Sequence, residues 1–196
     1  MLKPVKKFLQ QIAQLIRLRK GIKQEPVVCQ IKPPMSWVIP GKLAVGRSPR
    51  AADGTVLAAA NIKVIFSLCA NSEKSLPEEF MQLFRCLRLV LPDSHYATEI
   101  KVKQLAAAVD IVQHSIESQL PILVHCLAGV ERSPTVCIAY LCRHHNLELW
   151  EAINWLKRVH PSSMPTESQI RVVREFLEQP SLKDSKLRIV KNYEVS

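Results

Sequence analysis

The residues best suited to chemistry lie in one short stretch, in which an apolar run leads to Cys126 and Arg132 follows six positions later. The run from 121 to 125 predicts a buried strand, and residues 132–145 predict a helix. A cysteine at the carboxyl end of a central strand lies where open α/β sheets place their ligand crevice. Inward-turned amides of the intervening loop, together with the N-terminus of the helix, would bind a tetrahedral anion such as phosphate.

The side chains of this stretch favour attack on that anion. Arg132 offers a planar fork that can grip two phosphate oxygens. Its charge and the helix dipole favour a thiolate at Cys126, in line for attack on phosphorus. Ser133 can donate a hydrogen bond to the sulfur and ease its later departure. Gly129 permits a tight turn where a side chain would obstruct the loop.

Transfer of a phosphoryl group also requires a proton donor for the leaving oxygen, and Asp93 is the best candidate. It follows the predicted strand Leu87–Leu91 and precedes the cysteine by 33 residues. His95, in the same loop, is a weaker candidate. Asp110 and Glu117 are weaker still, because both lie within a predicted helix.

Strands and helices alternate along the chain, and this alternation predicts how those residues are positioned. The predicted strands are Trp37–Ile39, Lys42–Val45, Ile62–Leu68, Leu87–Leu91 and Pro121–His125. The predicted helices are 50–60, Pro77–Leu83, Ile100–Glu117, 132–145, 149–159 and 167–178. The pattern predicts a single α/β domain with a central, mostly parallel sheet of four to five strands flanked by helices. A chain of 196 residues with 47% hydrophobic residues can supply the core of one such domain.

The stretch His125–Ser133 resembles the His-Cys-x5-Arg-Ser signature of the protein tyrosine phosphatase superfamily. The dual-specificity branch is the nearest resemblance, and it extends over residues 36–178. It implies that Cys126 is the nucleophile, that Asp93 is the general acid and then the general base, and that no metal or cofactor is needed. His125 would hold the loop and tune the thiolate. The phosphate-binding loop that it implies consists of His125, Leu127, Ala128, Gly129, Val130, Glu131 and Arg132.

The resemblance implies a protein phosphatase that hydrolyses phosphotyrosine and phosphoserine or phosphothreonine through a cysteinyl-phosphate intermediate. Members that act on inositol lipids usually carry lysines in the loop, whereas this chain has Leu127, Val130 and Glu131. Glu131 stands where the branch often has a small residue, and its charge would repel a substrate with several phosphates. Two alternatives stay open: a phosphatase for a lipid, glucan or RNA 5′ end, and a non-catalytic phospho-binding module.

Two other features of the domain have weaker functional interpretations. A zinc site would draw on His125, Cys126, Cys142, His144 and His145, but no four-ligand spacing is present. The turn 46–50 carries two arginines, which either contact substrate or lie at the surface. The six cysteines form no CxxC pair, which indicates free thiols in a reducing compartment, and we expect a cytoplasmic protein.

The positive charge of the chain is concentrated before the domain. Residues 1–32 hold eight Lys and Arg against Glu25 alone, out of a net charge of +10 for the whole chain. Residues 2–20 predict an amphipathic helix that either packs on the domain or binds an anionic membrane or acidic partner. Nucleic acid is a poorer fit, because Phe8 is the one aromatic residue in this arm. We therefore divide the chain into a basic helix and linker (1–35), a catalytic domain (36–179) and a tail (180–196), with peripheral membrane association as an option.

Overall fold

The computed structural model describes residues 34–95 and 98–179, so the predicted N-terminal helix and the C-terminal tail lie outside the described residues. Within them the chain forms five strands and six α-helices. The strands are β1 (Met35–Ile39), β2 (Leu43–Arg47), β3 (Val64–Ser67), β4 (Arg85–Arg88) and β5 (Ile122–Cys126). The helices are α1 (Gly54–Ala59), α2 (Glu79–Leu83), α3 (Val102–Glu117), α4 (Arg132–His145), α5 (Leu149–Val159) and α6 (Glu167–Glu178). None of the described helices is long and apolar enough to cross a bilayer.

The five strands form one sheet in the order β1-β2-β5-β3-β4. β1 runs antiparallel to β2, and all other pairs are parallel. Because parallel strands end at the same edge, Arg47 lies opposite Cys126 and Ser67 lies opposite His125. The predicted α/β class and mostly parallel sheet are therefore confirmed, and the cysteine ends the central strand at the edge where such sheets bind ligands.

The fourth strand lies earlier in the chain than predicted. The sequence pattern placed it at Leu87–Leu91, whereas β4 pairs with β3 from Arg85 to Arg88. As an edge strand it is only half-buried, so its own residues lack the apolar run that marks an interior strand. The buried residue of the run is Leu91, which follows the strand and donates its amide to Leu68 O at 3.0 Å.

Helices cover both faces of the sheet, and α4 occupies the middle of the larger layer. Alternate residues of β3 divide between the two faces: Val64 and Phe66 join the cluster under α3–α6, whereas Ile65 joins the smaller cluster under α1 and α2. α4 is buried from Arg132 to Cys142 because it packs on the sheet and against α3, α5 and α6. Its N-terminus is therefore held firmly at the end of β5.

The loop after β5 passes so close to β2 that a side chain on Gly129 would not fit between them. A Cβ on Gly129 would lie 2.5 Å from Gly46 C and 2.6 Å from Arg47 N, and the φ of Gly129 is +74°. A Cβ on Gly46 would in turn lie 2.2 Å from Pro34 O. The two glycines thus allow three backbone segments to stack beside the cysteine.

We predict that Gly129→Ala is much more destabilising than Gly41→Ala. Both glycines have a positive φ, but a Cβ on Gly41 would meet nothing within 4 Å. Gly41→Ala should lower the free energy of unfolding by about 1 kcal/mol through backbone strain alone. Gly129→Ala adds a backbone clash and should cost about 3 kcal/mol. Urea denaturation followed by tryptophan fluorescence measures both, and equal losses would contradict the close packing described above.

Candidate active site

The loop from 127 to 131 is held from outside by hydrogen bonds to three of its carbonyl oxygens. The bonds run from Ser48 N to Leu127 O (3.1 Å), from His160 Nε2 to Gly129 O (2.8 Å) and from Met164 N to Val130 O (2.7 Å). The described peptide bonds are all trans, so the N–H that follows each carbonyl points in the opposite direction. The amides of residues 128, 130 and 131 therefore face the inside of the loop. Together with the start of α4, they form a cradle suited to an anion.

The sulfur of Cys126 lies at the floor of this loop. The residue is 3% exposed, and its Sγ accepts a hydrogen bond from the Gly129 amide at 3.3 Å. Ser133 Oγ lies 3.4 Å from the sulfur and 3.3 Å from Gly46 O. A hydroxyl has one proton, so Ser133 can donate a hydrogen bond to the sulfur only when it does not donate to Gly46 O. The geometry thus offers two donors to a thiolate, the Ser133 hydroxyl that the sequence suggested and the Gly129 amide, which it did not.

Arg132 lies beside the loop with its guanidinium already held in a fixed plane. Its side chain is 2% exposed, and the two Nη atoms donate to Glu73 Oε1 at 3.1 Å and Glu73 Oε2 at 2.7 Å. Nη1 also donates to Leu91 O at 3.2 Å, and Nη2 lies 2.6 Å from Asp93 Oδ2. Burial alone would lower the pKa of Arg132, but its hydrogen bond to Glu73 and nearby negative groups raise it overall. The guanidinium is therefore a permanent, oriented cation next to the cysteine.

Sequence reasoning missed Glu73, although it aligns the arginine. The residue lies six positions beyond the end of β3, at the same edge of the sheet as the loops that follow β4 and β5. Its position shortly after a predicted strand of the parallel sheet could have suggested Glu73 as a site residue, because ligands bind at that edge. The hydrogen bond from Arg132 holds the pKa of Glu73 below its usual 4.5. Glu73 is therefore ionised near neutral pH and keeps the guanidinium oriented when no substrate is present.

Asp93, the acid candidate, lies in the loop after β4 and reaches the guanidinium of Arg132. Burial works to raise its pKa, but hydrogen bonds from the side chain and amide of His95 and the charge of Arg132 hold it below the usual 3.8. His95 Nδ1 lies 2.7 Å from Asp93 Oδ1, and this contact raises the pKa of the imidazole. Asp93 is thus a carboxylate when the loop holds no anion.

The weakest acid candidates, the two carboxyl groups of α3, lie apart from this cluster. Asp110 is on the exposed side of α3, and Glu117, at the end of the same helix, accepts a hydrogen bond from Gln113.

In the turn 46–50, Arg47 donates two hydrogen bonds of 2.9 and 3.2 Å to the carboxylate of Asp53, so its side chain stabilises the fold.

The flanking residues of the loop differ in their partners. His125 is fully buried, with Nδ1 3.2 Å from Cys126 O, and burial lowers its pKa to about 4, so the ring is neutral. Glu131 accepts a hydrogen bond from the hydroxyl of Ser94, the residue after the acid candidate. His160, a second residue that sequence reasoning missed, places its other ring nitrogen 3.0 Å from Ser36 Oγ and so ties the loop to β1.

Three of the other described cysteines are buried in the core, and Cys86 is half-buried within β4; all four are poorer nucleophiles. Burial raises the pKa of Cys69 and of Cys142 to about 12 and raises that of Cys86 and Cys137 as well. Among residues 34–95 and 98–179, no group of three or more His, Cys, Asp or Glu side chains could hold a metal ion. The site thus combines a sulfur nucleophile, a cationic anion cradle and a carboxylate that could take up and release a proton.

The sequence of this chain is similar to those of known phosphatases. The chain is 34% identical over 128 residues to mouse (Mus musculus) dual specificity protein phosphatase 14, covering 65% of this chain and 61% of that one. It is 25% identical over 134 residues to the phosphatidylglycerophosphate phosphatase PTPMT2 of Arabidopsis thaliana, covering 68% of this chain and 59% of that one. It thus spans less than two thirds of the length of either relative.

The fold has a counterpart of known structure, and a family model covers most of the chain. The crystal structure of Tk-PTP in its active form superimposes with a TM-score of 0.67 over 76% of this chain and all of that one, at 24% identity, which shows a shared fold. Residues 43–179 match the model of the dual specificity phosphatase catalytic domain. Because this match includes the whole loop, Arg132 and Asp93, the chain belongs to the dual specificity phosphatase family.

Proposed function

We propose that the chain hydrolyses phosphate monoesters on tyrosine, serine and threonine side chains of proteins, with Cys126 as the nucleophile. One observation carries this proposal: the sulfur, three inward-facing amides and the guanidinium of Arg132 meet at one point of the sheet edge. Membership of the dual specificity phosphatase family and a relative named a protein phosphatase support a phosphoprotein as the substrate.

In the first step, the Cys126 thiolate attacks phosphorus and the bond to the leaving oxygen breaks. The leaving oxygen takes its proton from Asp93, so an alcohol or phenol departs and a cysteinyl phosphate remains. The amides of residues 128, 130 and 131 and the guanidinium of Arg132 stabilise the three equatorial oxygens. The amides are in place before substrate arrives, which lowers the reorganisation required, whereas the side of Arg132 that faces Asp93 must first be released.

In the second step, water attacks the phosphorus of the cysteinyl phosphate while the Asp93 carboxylate takes a proton from it. Inorganic phosphate leaves and the thiolate is regenerated. A hydrogen bond from Ser133 then stabilises the sulfur as negative charge returns to it. The proton that Asp93 gives in the first step is thus recovered in the second.

Binding of substrate must also change the state of Asp93, because a carboxylate cannot donate a proton. In the phosphate-free molecule its Oδ2 lies 2.6 Å from Arg132 Nη2, beside the guanidinium where a phosphate oxygen would bind. A phosphate dianion at Arg132 displaces that contact and, by like-charge repulsion, raises the pKa of the carboxyl group. The substrate itself therefore converts Asp93 into an acid.

A non-protein phosphate is the second candidate substrate, because one relative is named a phosphatidylglycerophosphate phosphatase. Glu131 argues against substrates with several phosphates, since it adds a negative charge to the edge of the cradle. We also propose that the basic arm of residues 1–32 brings the domain to an anionic membrane or an acidic partner, as in a cytoplasmic protein with peripheral membrane association.

We predict that the reduced chain releases phosphate from phosphotyrosine and phosphothreonine peptides and that Cys126→Ser abolishes this. Phosphoinositide vesicles and triphosphorylated RNA complete the substrate panel, with released phosphate as the readout. A variant lacking residues 1–24 should keep its activity on peptides and lose binding to anionic vesicles. Folded, reduced protein that turns over none of these substrates would instead support the phospho-binding module.

We predict that the effect of Asp93→Ala depends on how much help the leaving group needs. The variant should lower kcat/KM for phenyl phosphate by about a hundredfold or more, because phenoxide is a poor leaving group without a proton. For 2,4-dinitrophenyl phosphate, whose leaving group needs no proton, the loss should be much smaller. The matched control is Asp110→Ala on the exposed side of α3. A comparable loss in the control would remove Asp93 from the role of acid.

A further inference from the structure

Two neighbouring residues of the phosphate loop contact two neighbouring residues of the acid loop. Arg132 pairs with Asp93, and Glu131 accepts a hydrogen bond from the hydroxyl of Ser94. The side chains of Asp93 and Ser94 thus attach the loop after β4 to the start of α4 at two adjacent points, in addition to the hydrogen bond from Arg132 Nη1 to Leu91 O. These two contacts differ in what happens to them when a phosphate enters.

The Arg132–Asp93 contact cannot survive intact during the reaction. A bound phosphate competes for the same side of the guanidinium, and a protonated Asp93 no longer attracts the cation as a carboxylate does. The Asp93 side chain therefore loses its contact with Arg132 at the moment when its carboxyl group must be held against the leaving oxygen. The Glu131–Ser94 hydrogen bond involves neither the sulfur nor the guanidinium, so phosphate can bind without breaking it.

Glu131 is well anchored for this task. Its carbonyl oxygen accepts hydrogen bonds from the Thr135 amide at 3.0 Å and from Thr135 Oγ1 at 2.8 Å, and Thr135 is fully buried. The backbone at Glu131 is therefore fixed at the first turn of α4, and only its side chain extends to the acid loop. A shorter side chain at this position, such as alanine, would carry no acceptor to Ser94.

The charge of Glu131 also acts on the acid loop. His95, which donates to Asp93, has its pKa raised chiefly by that aspartate and further by the nearby Glu131 carboxylate. Glu131 thus lies near both Ser94 and His95, the two residues that follow Asp93 in the acid loop. Its position agrees with a contact to the acid loop.

We propose that Glu131 is a positioning residue that holds the acid loop, through the hydroxyl of Ser94, so that Asp93 stays in reach of the leaving oxygen after phosphate has displaced it from Arg132. This inference rests on the proposed phosphatase function and adds a role for a residue at which the family often has a small side chain. Glu131 itself contacts neither the phosphorus nor the leaving oxygen; it acts on the reaction through Ser94.

The test is the ratio of kcat/KM for phenyl phosphate to kcat/KM for 2,4-dinitrophenyl phosphate. Glu131→Ala and Ser94→Ala should each lower this ratio about tenfold, the loss expected for one charge-assisted hydrogen bond. Glu131→Gln keeps an acceptor oxygen and should retain most of the ratio. The double variant should lose no more than either single one, because both remove the same contact. The control, Glu175→Ala on the exposed side of α6, should stay within about twofold of the unaltered chain.

Hydrogen exchange of the acid loop supplies a second measurement that needs no turnover. Amides of residues 93–95 should exchange faster in Glu131→Ala and Ser94→Ala, whereas those of β5 should not change. If the unaltered chain hydrolyses neither substrate, the proposed function fails, and exchange still decides whether Glu131 holds the loop. Equal losses on both aryl phosphates, additive losses in the double variant, or unchanged exchange would each overturn the inference.

Discussion

The hydrogen bonds that hold three loop carbonyls outward are the constraint on which the candidate site depends. Donors from residues 48, 160 and 164 fix these carbonyls, and the planarity of the peptide bond then directs the following amides inward. The donors come from two segments, one after β2 and one after α5, that are distant from each other in sequence and meet only in the folded domain. Anion binding is in this sense a consequence of tertiary packing, and the contact of Gly129 with Gly46 is what allows the loop to lie deep enough.

A second constraint is electrostatic. A buried guanidinium is costly to desolvate unless it is paired. The guanidinium of Arg132 pairs with both carboxylate oxygens of Glu73 and with one oxygen of Asp93. Two carboxylates already neutralise the guanidinium in the phosphate-free site, and in the proposed mechanism an incoming phosphate dianion replaces the aspartate, which contacts the guanidinium at one point. Under that proposal the same exchange raises the proton affinity of Asp93, so binding and acid catalysis are coupled through one cation. The contact of Glu131 with Ser94 is the one that we propose to hold the acid in place.

Much of this site could be predicted from the sequence because its central part is local. The apolar run before Cys126, the six-residue interval to Arg132 and the helical pattern that follows lie within one continuous segment, and the fold confirms their arrangement. Glu73 and His160 could not be found in this way, because they act through contacts that depend on the path of distant loops. The displaced β4 has a similar cause: its apolar run marks burial at Leu91, beyond the strand, and the pairing register with β3 is not visible in the pattern.

A crystal structure of the chain with orthovanadate would show directly whether Cys126, the loop amides and Arg132 form one oxyanion site. We expect vanadium bonded to Cys126 Sγ, with its equatorial oxygens on the amides of residues 128, 130 and 131 and on the Arg132 guanidinium, and with Asp93 moved from Arg132 to the apical oxygen. Vanadate bound elsewhere, or loop carbonyls that face the oxyanion in place of amides, would show that the loop is not the oxyanion site of a Cys126 nucleophile.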